Sequence, residues 1–164
     1  MADLGAISLW IALALSFYSG LGSLLGKIRG VPALEQSARR AVYLLLLVLL
    51  VSTLSLVSAF INHDFELAYV AAHSNLAMPN MFTWVAFYAG NEGSLLFIAF
   101  ALSVMAALAL WRAPSRTKET LPYTAAVLMF VETFFLAVMA FMANPFETLP
   151  VAPLDGQGIN PLLT

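Results

Sequence analysis

Cysteine is absent from the 164-residue chain. That excludes disulfides, Cys-ligated zinc, iron–sulfur clusters and thiol chemistry. Charge is scarce as well: 10% of residues are Asp, Glu, Lys or Arg, against 62% hydrophobic. A soluble domain of this size needs far more charge to cover its surface, so the apolar excess faces membrane lipid. The formal net charge is −2 and no basic stripe exists, so nucleic acid is excluded as a partner. No cation precedes the first apolar run. A cleaved signal peptide is therefore not expected, although Ala12, Leu13 and Ala14 imitate a cleavage site. No Ser/His/Asp set, P-loop or dinucleotide fingerprint is present.

The few cations are placed with great regularity. All seven lie in two stretches: Lys27, Arg29, Arg39 and Arg40, then Arg112, Arg116 and Lys118. Cationic loops resist transfer across an energised bilayer, so both stretches are expected on the cytoplasmic side. Both chain termini then lie outside. Apolar runs between these marks predict spans over 4–26, 41–62, 93–111 and 121–143, joined into one transmembrane domain. At about 1.5 Å per residue, the first is long enough for a core of roughly 30 Å. Lys27–Arg40, with Gly30 and Pro32, reads as a polar loop, and Arg112–Glu119 as the second. Gly22 and Gly26, with Gly20, Ser19 and Ser23, give the first span a small-residue face suited to close helix packing.

The outer side carries acid and aromatics but no cation. Segment 63–92 holds Asp64, Glu66 and Glu92, with Phe65, Tyr69, Phe82, Trp84, Phe87 and Tyr88. Such rings suit the headgroup level, so the segment reads as interfacial. Pro79 is expected to start a short helix, and Gly90 and Gly93 to permit a bend. The tail, 144–164, has Pro145, Pro150, Pro153 and Pro161 with Gly156 and Gly158, and reads as extended. The fold class is all-α: a polytopic membrane protein with four transmembrane helices and an outer-face interfacial segment.

Three features could carry chemistry. Glu132 lies near the middle of the fourth span, where a carboxylate is costly and suggests a proton or ion site. The plainer reading is an acid hydrogen-bonded to a neighbouring helix. No span offers a Lys, Arg or His partner for a relay. His63 and His73 could each ligate haem iron or a metal, but their ten-residue separation matches no helical or zinc spacing; surface histidines are the plainer reading. Asn91, Glu92, Gly93 and Ser94 open the third span. Asn91 or Ser94 would cap it, with Glu92 favouring the positive end of its dipole.

Four stretches, taken in order, resemble one family. They are Asp64-Phe65 with Tyr69-Val70-Ala71; Ser74-Asn75 followed by Pro79; Glu92-Gly-Ser-Leu-Leu-Phe97; and Asn144-Pro-Phe146 leading to Asp155-Gly-Gln-Gly-Ile-Asn-Pro-Leu-Leu163. Together they are similar to the N-terminal part of CcmF, the large membrane subunit of bacterial system I cytochrome c maturation, and to its relative in nitrite reductase maturation. The resemblance implies haem ligation to apocytochrome c at the outer face of the inner membrane. It implies haem as cofactor of the complete protein. Its partners would be the remainder of the CcmF-like protein, other maturation subunits, a haem carrier and apocytochrome c. It marks Glu92, Gly93, Ser94, Asn144, Pro145, Asn160 and Pro161 as motif positions without an assigned role.

The departures are specific. The family's tryptophan-rich motif and its haem-ligating histidines are absent, and Asn91 stands where the family commonly has His. No catalytic, haem-binding or metal-binding residue carries over, and no haem is expected on this chain alone. The sequence ends at Thr164, where the family pattern continues with Gln, so a fragment or one half of a split gene is expected. The glycine face, Glu132 and the aromatic segment would then face missing helices. Two other readings are a transporter or ion-pump subunit using Glu132, and a non-catalytic scaffold binding partners through the glycine face.

Overall fold

A computed structural model describes residues 2–78, 80–117 and 119–157. Six α-helices appear in order: α1 Ala2–Arg29, α2 Pro32–Ile61, α3 Ala68–His73, α4 Asn80–Phe87, α5 Asn91–Trp111 and α6 Leu121–Phe141. Four of them, α1, α2, α5 and α6, are long and apolar enough to cross a membrane. α1 packs on α2 and α6, and α5 packs on the same two helices. The four therefore form a ring in which α1 and α5 stand across from each other.

The first cationic stretch is helical, not the polar loop expected over Lys27–Arg40. α1 runs to Arg29 and α2 begins at Pro32. Gly30, at φ +63, makes the turn. Its N–H reaches Lys27 O at 3.3 Å, and Val31 N–H reaches Gly26 O at 2.8 Å. This is a Schellman closure, with glycine supplying the left-handed residue. Pro32 then starts α2 at a position where no N–H is needed. Charge by itself does not interrupt a helix; the Gly-Val-Pro punctuation does. With 30 residues, α2 is about 45 Å long and overshoots a hydrocarbon core of roughly 30 Å.

The small-residue face of α1 is used inside the chain. A Cβ on Gly22 would lie 3.0 Å from the Ala38 Cβ, and one on Gly26 would lie 2.8 Å from Glu35 Cγ. Ser19 Oγ donates to Ala38 O at 2.8 Å. Gly20 meets the Phe130 ring on α6. This face is thus closed by α2 and α6, and neither missing helices nor a scaffold partner can occupy it. Glu132 is likewise enclosed, with no exposed surface. It does not face outward to absent helices.

The segment after α2 and the tail after α6 meet at one end of the bundle. The cationic turns lie at the other, where Arg39 Nη2 donates to Leu110 O at 2.6 Å. Of the outer aromatics, Phe65, Tyr69 and Phe87 are buried, while Phe82 and Tyr88 are exposed. Among the described side chains the interfacial reading fits the exposed pair, while the other three are buried in the core; the Trp84 side chain lies outside what is described. Pro79 lies outside the described residues, and α4 begins after it. The helix is interrupted over Tyr88–Gly90, so the expected bend falls at Gly90, while Gly93 lies within α5.

Candidate functional site

The described motif positions, Glu92, Gly93, Ser94, Asn144 and Pro145, lie at the end of the bundle where α5 starts and α6 ends. Asn144 starts the tail in a side-chain turn: its Oδ1 accepts from Phe146 N at 3.0 Å. Pro145 follows, which fixes φ as the chain leaves α6. Phe146 then turns inward, 4% exposed, and packs where Gly5 of α1 lacks a side chain. The tail next runs antiparallel to the strand-like residues before α3. Leu67 and Thr148 form a bridge, with Ala68 N to Glu147 O at 2.9 Å and Leu149 N to Glu66 O at 2.8 Å.

A second clamp lies further along. Asp155 Oδ1 accepts from Leu76 N and from Gly156 N, both at 2.8 Å. Gln157 N donates to Ala71 O at 2.8 Å. Gly156 presses on the backbone of Ser74, where any Cβ would collide. The expected extended tail is therefore a strap tied across α3. Asn160 and Pro161 lie outside the described residues.

Beside the strap, Tyr69 organises the Glu-Gly-Ser motif. Its hydroxyl donates to Phe87 O at 2.9 Å and accepts from Gly90 N at 3.1 Å. The ring is 4% exposed and stacks edge-on against Phe60 with centroids 5.5 Å apart. A Cβ on Gly93 would strike Phe87 O and come within 2.6 Å of Tyr69 Oη. Gly93 is thus required by this close approach. Burial pushes the Tyr69 phenol above its ordinary value; backbone N–H groups of Gly90 and Gly93 pull the other way, and the Glu92 charge adds to the rise.

The expected cap of α5 differs. Its N-cap is Gly90, with no side-chain cap. Ser94 Oγ instead donates to Tyr88 O at 2.8 Å, tying the turn before the helix to its first turn. Asn91 is exposed and does not cap. Glu92 does sit in the first turn, where the dipole favours an acid. In the sequence Tyr69 stands out as one aromatic among six and as part of the Tyr69-Val70-Ala71 stretch, neither of which gives it a partner. The signal that could have singled it out is the pair Gly90 and Gly93, whose missing side chains make room for a ring.

His63 and His73 stand in separate surroundings. His73 Nδ1 is 3.0 Å from Tyr69 O, and the two rings stack at 4.6 Å. His63 takes the left-handed conformation at φ 51, with Nδ1 buried and without a partner among the described residues. It lines an outer cavity of about 460 Å³ with Asn62, Asp64, Glu66 and Pro153. Among the described residues no group of three His, Asp or Glu could hold a metal ion. At the His63 cavity Asp64 and Glu66 would oppose haem propionates, and His73 Nδ1 is already engaged with Tyr69 O.

Glu132 has no hydrogen-bond partner for either oxygen among the described residues. The expected bond to a neighbouring helix is not made there. A transport route would need polar groups leading to this acid; Glu132 is not in the lining of the three best-formed cavities.

No protein-family model matches the chain. It is similar to the cytochrome c-type biogenesis protein NrfE of Haemophilus influenzae, at 34% identity over 99% of this chain and 26% of that protein. It is similar to the cytochrome c-type biogenesis protein CcmF of Escherichia coli K12, at 32% identity over 99% of this chain and 25% of that protein. Among solved structures, a cytochrome c haem lyase CcmF matches with a TM-score of 0.81 and 32% identity, over 90% of this chain and 25% of that one. The chain spans about a quarter of the length of these relatives.

Proposed function

Since this chain belongs to the CcmF family of cytochrome c-type biogenesis proteins, as an N-terminal portion, we propose that it supplies the first helices and the outer platform of a haem-ligating membrane protein. Haem belongs to the complete protein, and the chain contributes framing, not ligands. Its partners are the remainder of the CcmF-like protein, other maturation subunits, a haem carrier and apocytochrome c. The platform is the surface formed by segment 63–92 and the tail strapped to it. The reading rests on one observation: Glu92, Gly93, Ser94, Asn144 and Pro145, distant in sequence, all build the same end of the bundle. Positions needed only for membrane packing would have no reason to gather there.

The proposed orientation puts this end outside, in the inner membrane, with both termini outside. The absence of native cysteine allows a clean test. Single cysteines at Gln157 and Arg40, probed with an impermeant maleimide on whole cells, are expected to react at 157 and not at 40. Reaction at 40 alone overturns the orientation. Function is tested by a chimera in which this chain replaces the corresponding N-terminal quarter of the E. coli protein. Covalent haem on a reporter cytochrome c is expected. A chimera that inserts and accumulates normally yet attaches no haem, while the parent does, counts against the assignment.

A further inference from the structure

A cavity of about 260 Å³ opens at the cation-bearing end, far from the outer platform. Its lining includes Ser23 of α1, Glu35 and Arg39 of α2, Leu110 of α5, and Leu121 and Ala125 of α6. Glu35 and Arg39 are four residues apart, so both rise from one face of α2, about 6 Å apart along its axis. The Arg39 charge is held by a hydrogen bond, and the Glu35 stem by packing. Glu35 lies half-buried against Gly26, whose missing Cβ leaves room for its Cγ. Arg39 uses Nη2 on Leu110 O at 2.6 Å, which steadies the guanidinium and leaves most of its five N–H donors unused by that bond. One wall is thus polar with an anion and a cation a helical turn apart; the other is apolar.

This end carries the charged ends of helices that are otherwise apolar, so it sits at headgroup depth. We propose that the cavity is a lipid site for a phosphoethanolamine headgroup. Arg39 donates to the phosphate, for which the guanidinium fork is suited. Glu35 accepts from the primary ammonium. Leu110, Leu121 and Ala125 receive the glycerol and first methylenes. Glu35 disfavours a purely anionic headgroup, and a quaternary ammonium has no N–H to offer it.

The test uses the full chain in nanodiscs of phosphatidylcholine containing small, equal fractions of phosphatidylethanolamine and phosphatidylglycerol. Lipids retained after detergent extraction are counted by native mass spectrometry. Phosphatidylethanolamine is expected to be enriched about tenfold over its fraction, matching one charge-assisted hydrogen bond. Glu35→Gln is expected to abolish that preference with the fold intact by circular dichroism, and Arg39→Gln to abolish the retention of phosphatidylethanolamine. Soluble glycerophosphoethanolamine is expected to compete only weakly, since it lacks the methylenes. Equal retention of the three lipids, an undiminished preference in Glu35→Gln, or full competition by the soluble headgroup would each overturn the proposal.

Discussion

Gly93→Ala tests the reading of the outer platform because its sign is reversed from the ordinary case. Replacing glycine by alanine inside a helix normally stabilises by about 1 kcal/mol. At Gly93 the new Cβ meets Phe87 O and lies 2.6 Å from Tyr69 Oη. Phe87 O is backbone and cannot swing aside, so the turn before α5 must move. Overpacking of this kind costs about 1–3 kcal/mol. Moving the turn also loosens the Tyr69 bonds to Phe87 O and Gly90 N, each worth about 1 kcal/mol. The expected net loss is about 2–4 kcal/mol. Equilibrium unfolding by SDS titration in mixed micelles measures it. Tyr69→Phe completes a double-mutant cycle: the two substitutions share one contact, so their effects fail to add by about 1 kcal/mol. A Gly93→Ala chain that is more stable than the parent would refute the reasoning.

Other outcomes follow from single contacts. Because burial raises the Tyr69 phenol above its ordinary value of 10.0, the folded state holds that proton more tightly than the unfolded one. Its contribution is complete below pH 10.0 and is lost as pH rises toward the folded value; Tyr69→Phe should flatten this alkaline slope in a titration of unfolding midpoint. Phe146→Ala empties the buried seat against Gly5 and should cost about 3–5 kcal/mol, with faster hydrogen exchange at Ala68 and Leu149 where the strap is bonded. Glu132→Met replaces an acid with no partner among the described residues and should leave stability unchanged or raise it by about 1–3 kcal/mol. A clear loss of midpoint in that variant would reveal a partner for the carboxyl.

Some expectations failed in informative ways. Lys27–Arg40 reads as a loop from its polarity with Gly30 and Pro32, yet Ala33–Arg40 consists mostly of good helix formers, and the chain turns only at Gly30 and Val31 before Pro32 starts α2. The aromatics of segment 63–92 looked alike in the sequence. Three of them are buried, Phe65 beside Gly156 of the tail and Tyr69 against Phe60 and the Phe87 carbonyl, all partners that nothing local to the segment encodes. The Glu-Gly-Ser motif looked like a helix cap, since Ser and Asn cap helices in general. Ser94 bonds Tyr88 O instead, because Gly90 already serves as the N-cap.

What the sequence determined alone is the membrane class, the number of long apolar helices and the grouping of cations at one end. These follow from composition and from one-dimensional spacing, since lipid demands uninterrupted apolar helices and leaves charge only at their ends. What tertiary structure decided is which faces meet. The α1 glycines closed on Ala38 and Glu35, Gly93 made room for Tyr69, and Asp155 tied the tail across α3. Each pairs residues far apart along the chain, and such a contact depends on where two helices or a strap come to lie, which no local pattern of residues specifies.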